Sequence, residues 1–166
     1  PPECASVGEE AELVLLPADI LFVVDNSCSM SFEASQIQTR LNDFSTQITA
    51  SGIDAHVVLI SSYPSTGYGI CIDPPLGGGG CPTSDDNLPI FNHVEQTINS
   101  HNAWSRTLST HPQWAASMRQ DSVKHVVVVT DDTADMSVTD FDAGFLALDP
   151  SYADYVHHSV VCHSHC

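Results

Sequence analysis

The chain has 166 residues, 42% of them hydrophobic, and sets 21 Asp and Glu against four Lys and Arg, a formal charge of −17. That length and apolar content describe one globular domain with its own core and exclude a disordered chain. The charge repels nucleic acid and anionic membrane surfaces, and no apolar run approaches membrane-spanning length, so neither nucleic-acid binding nor membrane insertion is expected.

The chain opens "PPECASVG", without an initiator methionine, and carries six cysteines and almost no lysine. Such usage points to an exported protein, extracellular or periplasmic, in which disulfides persist.

Residues 1–18 read as an acidic leader with one apolar patch, Leu13 to Leu16. Residues 19–166 form the domain. The run 19–24 does not alternate, so it predicts a strand buried on both faces. A helix follows over 32–51, with Ile37, Leu41, Phe44 and Ile48 on one face and Gly52 as its terminator. Residues 55–62 ("AHVVLISS") predict a second strand. Residues 63–89 have no periodicity; Gly77 to Gly80 and five prolines make them a long irregular loop. Residues 93–100 are weakly extended, and 102–110 and 113–122 predict helices. "HVVVVT" (125–130) is the clearest strand, 140–148 predict a helix stopped by Pro150, and 155–161 a last strand. The alternation implies an α/β fold, a doubly wound, mostly parallel sheet flanked by helices. Such sheets bind ligands at the carboxyl ends of their strands.

Two of these strands end in oxygen donors. "DILFVVDNSCSM" breaks from a greasy strand into Asp25, Ser27 and Ser29, and "VVVVTDD" ends in Asp131 and Asp132. Carboxylates and hydroxyls are hard ligands, suited to Mg²⁺, Mn²⁺ or Ca²⁺. Asp25 and Asp131 together balance a divalent ion. Where one of them acts through water, the ion keeps positive character and can accept an acidic side chain from a partner. The competing explanation is a helix cap, with Ser29 or Ser31 capping and Glu33 supporting the first turn.

These motifs resemble the von Willebrand factor A domain family, whose Asp-x-Ser-x-Ser sequence forms a metal-ion-dependent adhesion site (MIDAS). The resemblance spans 19 to about 161, with the motifs in order. It implies a Rossmann-like fold, a metal held by Asp25, Ser27, Ser29 and Asp131, and cell adhesion or protein binding without catalysis. Asp132 stands where the family has glycine, which places it one step removed from the ion. The family's middle-loop threonine has no matching "GGT" here; Ser100, before "HNAW", takes the corresponding place, with Thr97 as the alternative. Cys28 replaces a family glycine at a sharp turn. The family also carries one more strand and helix, so the expected partner is either a protein presenting an acidic side chain or a chain that completes the sheet edge.

Cys28 at a strand-to-helix turn has the position of a thiol nucleophile, as in a hydrolase, but a disulfide or a buried thiol explains it more simply. Cys162, His163, His165 and Cys166 are zinc donors in no finger or ribbon spacing, and disulfides compete for the same thiols. Cys71 and Cys81 bracket the glycine run and are expected to pair. Asp85 and Asp86 read as a solvated turn before a calcium site. Trp104 and Trp114 are assigned to core packing.

Overall fold

The computed structural model describes residues 15–64 and 68–161. Most of the leader and the 162–166 cluster therefore lie outside the described residues.

Five strands pair in parallel: β1 (Ala18–Val24), β2 (Ala55–Ser61), β3 (Phe91–Glu95), β4 (Val123–Thr130) and β5 (Val156–Val161), in the order β3-β2-β1-β4-β5. The sheet is wholly parallel, as expected of strands that run apolar without alternation. Four helices flank it: α1 (Ser31–Ala50), α2 (Ala103–Ser109), α3 (His111–Trp114) and α4 (Val138–Leu146).

Each strand sends alternate residues to opposite faces. Leu21, Val23, Val58, Ile60 and Val128 meet α2, α3 and α4 through Ala103, Trp114, Phe141 and Phe145. Burial of each phenylalanine contributes about 1.5–3 kcal/mol. Val57, Leu59, Phe91 and Val129 meet α1 through Ala34 and Leu41, and the 63–89 loop through Ile70, Ile72 and Leu76.

Several boundaries moved. The helix expected over 113–122 is α3 plus a short 3-10 turn ending at Ser117, because Pro112 opens it and Trp114 anchors it in the core. Arg119 and Ser122, expected to be helical, bind Asp19 instead. The weak extended stretch at 93–100 is a strand shifted upstream to 91–95. α4 starts earlier than expected, where the Ser137 hydroxyl accepts the Asp140 N–H at 3.1 Å.

The loop after β2 carries the expected Cys71–Cys81 disulfide. A side chain at Gly77 would strike the Ile72 carbonyl, and Gly80 sits at φ 110°, so the glycine run fits where bulkier residues do not. The expectation of a solvated turn at Asp85 is overturned. Its side chain is fully buried, with Oδ1 2.7 Å from His93 Nδ1 and 3.1 Å from the Tyr63 hydroxyl, and Oδ2 accepting the Ile72 N–H at 2.5 Å. A carboxylate amid apolar residues persists only with such partners, and it pins the loop to β3.

Candidate metal centre at the carboxyl edge of the sheet

The register places Val24 beside Val129, so the chain leaves β1 and β4 at the same level. Asp25 N–H continues the ladder to the Val129 carbonyl at 2.9 Å. The fully buried Asp25 carboxylate accepts the Ser27 N–H on Oδ1 at 2.8 Å and the Thr130 hydroxyl on Oδ2 at 3.0 Å. Both donors are neutral. Among the described residues no Lys, Arg or His pairs with Asp25.

Past Asp25 the chain makes a 3-10 turn, Cys28–Met30, closed by Met30 N–H to the Ser27 carbonyl. This corrects the expectation that a side chain at residue 28 is out of place, since helical backbone accepts cysteine as readily as glycine. The Cys28 thiol is exposed and free, not buried and not in a disulfide. No histidine hydrogen-bonds it among the described residues.

Neither serine caps a helix. The 3-10 turn and α1 both begin without a side-chain cap. The hydroxyls face one another instead: Ser27 Oγ lies 3.1 Å from Ser29 Oγ and 3.3 Å from Ser100 Oγ. Ser100 comes from the connection between β3 and α2, 73 residues away in sequence. Of the two hydroxyls proposed for that place, the structure brings in Ser100. Thr97 is exposed, and among the described residues its side chain makes no hydrogen bond to this group.

Asp131 follows Thr130 and lines a small cavity with Glu33 and Met30 at the start of α1. Its carboxylate has no hydrogen-bond partner among the described residues. Asp132 turns away, with Oδ1 accepting the Thr133 N–H at 2.7 Å and Oδ2 3.4 Å from His101 Nε2. Asp25, Ser27, Ser29 and Ser100 thus lie within one hydrogen-bonded group beyond the ends of β1 and β4, while Asp131 follows β4 on the side of Glu33 and Met30 and Asp132 is held by Thr133 and His101.

Sequence reasoning passed over two residues. The single Thr130 hydroxyl proton is shared between Asp25 Oδ2 at 3.0 Å and the Ser100 carbonyl at 3.1 Å, joining two loops. Its signal was a hydroxyl ending an apolar run. Asn26, 5% exposed, is hidden within the motif by its unremarkable place between Asp25 and Ser27.

The donor set fits a hard cation. Ligands at adjacent corners around Mg²⁺, each about 2.1 Å from the ion, lie about 3.0 Å apart, close to the Ser27–Ser29 and Ser27–Ser100 separations. Among the described residues the remaining candidate, Cys71, Cys81 and Asp85, is a disulfide beside a paired carboxylate and offers no metal site. No family model, no characterised protein and no solved structure matches this chain.

Proposed function

We propose that this is an exported, von Willebrand factor A-like binding domain that uses a divalent cation, Mg²⁺ or Mn²⁺ (Ca²⁺ being the alternative), to capture an acidic side chain of a protein partner. The reading rests on one observation: three hydroxyls from two distant loops converge beside a buried carboxylate that has no cationic partner among the described residues. A buried anion held by neutral donors alone is costly, and an external cation relieves that cost. Ser27, Ser29, Ser100 and Asp131 are assigned to hold the ion. Asp25, with both oxygens engaged by the protein, orients the motif and supplies charge. The cation, when bound, supplies an electrophilic position that a partner carboxylate completes. The Cys71–Cys81 disulfide supports an oxidising location.

A second reading is a structural subunit of a surface assembly with a merely stabilising metal. It is favoured by the uncovered side of β5, where Val156, Val160 and Val161 are 40%, 55% and 57% exposed. Beside it a groove of about 440 Å³ runs along α1 past Phe44, Ile48, Val127 and His158. Partner capture with and without chelator separates the two. A bridging metal makes binding vanish in EDTA, whereas a structural subunit assembles equally well. Should Mn²⁺ neither bind nor raise the melting temperature, the metal reading fails.

A further inference from the structure

We infer that Asn26 is the positioning residue of this site, the clamp that brings Ser100 to Ser27. This inference rests on the metal reading. Asn26 and Ile98 exchange two hydrogen bonds. Asn26 N–H donates to the Ile98 carbonyl at 3.0 Å, and Ile98 N–H donates to Asn26 Oδ1 at 2.7 Å. The pair acts as one rung of a ladder between two loops that belong to no strand. Ile98 is fully buried and lies two residues before Ser100, so the rung sets where the Ser100 hydroxyl arrives.

The third arm fixes the amide. Asn26 Nδ2 donates to the hydroxyl of Ser62, a buried residue just past β2. Asn26 therefore ties the ends of β1 and β2 to the loop that follows β3. Thr130, through the Ser100 carbonyl, ties the same loop to β4. Only a side chain that accepts and donates from adjacent atoms fills both roles. Asparagine does so without adding a second buried anion beside Asp25.

The group shapes the site without touching the ion. Loss of such an outer support typically lowers metal affinity about 10- to 100-fold. The probe is Mn²⁺ alone, with affinity from titration calorimetry and bound-water number from proton relaxation at the ion. In Asn26→Ala we expect affinity to fall about tenfold and one more water on Mn²⁺, because Ser100 is released. Ser100→Ala in the wild-type background gives the same extra water. Added to Asn26→Ala, Ser100→Ala costs nothing more, since neighbours that act as a unit are not additive. A purely structural role of Asn26 would leave the two effects additive and the water number unchanged, and either result overturns the inference. Wild type that binds no Mn²⁺ sinks the metal reading itself, a separate failure. Asn26→Asp covers the case in which the alanine variant does not fold. It retains the acceptor for Ile98, so Ser100→Ala must cost as much in that background as in wild type. No cost there would also overturn the clamp.

Discussion

The two ends of β1 each bury an aspartate, and they treat it in opposite ways. At the amino end Asp19, 1% exposed, meets the Arg119 guanidinium at 2.7 Å and the Ser122 hydroxyl at 2.5 Å. Arg119 also reaches Asp54, and Lys124 Nζ donates to the Arg119 carbonyl and, at 2.9 Å, to the Ser122 carbonyl. At the carboxyl end, among the described residues, the Asp25 carboxylate has only an amide and a hydroxyl. Two of the chain's four strong cations therefore neutralise one edge of the sheet. The other two, Arg40 on α1 and Arg106 on α2, do not pair with Asp25. The closed edge is finished by the chain itself, whereas the function proposed above gives the open edge to a cation from outside. Burial of a charge is the same physical problem at both ends; what differs is that, among the described residues, only the Asp19 end shows a counter-charge.

The sharpest way to break this comparison is to remove the counter-charge at the closed end. Arg119→Ala leaves Asp19 buried and unpaired, and urea unfolding should show a loss of about 3–5 kcal/mol. Mn²⁺ affinity should not change, since the open edge is untouched. The matching change at the open end, Asp25→Asn, should alter metal-free stability by about 1 kcal/mol or less, because the charge-assisted hydrogen bonds it loses are offset by removal of a buried charge with no cationic partner among the described residues. A large loss there would show that Asp25 is as fully compensated as Asp19.

Metal sharpens the same contrast. At a hundredfold excess over its dissociation constant, Mg²⁺ or Mn²⁺ should stabilise wild type by about 2.7 kcal/mol. In Asp25→Ala the thermal shift should disappear, and in Asp19→Asn, weakened as that variant is, it should persist. Loss of the shift in both variants would make the metal effect a general one of net charge.

The loop that begins near the open edge offers a smaller lever. Reduction of Cys71–Cys81, ten residues apart, should lower stability by about 2–3 kcal/mol. Denaturant titration with and without reductant measures it. The Asp19 cluster gives no reason for a larger effect, so a loss well beyond this range would mean that the loop supports more than its own face.

The smallest effect is on pH. Burial holds His111, His125 and His157 below the ordinary imidazole value, and His158 adds to this for His125 and His157. In the unfolded chain these rings protonate near pH 6.5, at about the reference value, while in the folded chain they stay neutral. Their contribution is thus complete above about pH 6.5 and is lost as pH falls through that value toward the folded ones. A stability profile between pH 7.5 and 5 should decline. His125→Gln should flatten it, while both aspartate clusters keep their geometry.

Much of the architecture was legible in the residues alone. Uninterrupted apolar runs mark strands buried on two faces, and their alternation with helices specifies a parallel sheet, because each element's period is local. Asp25, Ser27 and Ser29 were readable because their donors lie on one tight turn. Cys71 and Cys81 were readable because a short glycine-rich span closes easily. Groups joined across the fold were not. Asp19 and Arg119 are 100 residues apart, Ser27 and Ser100 are 73, and Asn26 and Ile98 are 72. Asp85, which looked solvated in its polar stretch, is buried because His93 and Tyr63 fold over it. Sequence determined which residues carry oxygen donors at strand ends. Strand order and register decided which of them meet, since a ladder shifted by one residue turns every side chain to the other face. With Val24 opposite Val129, Asp25 meets Thr130, and the loop that Thr130 and Asn26 hold delivers Ser100 rather than Thr97.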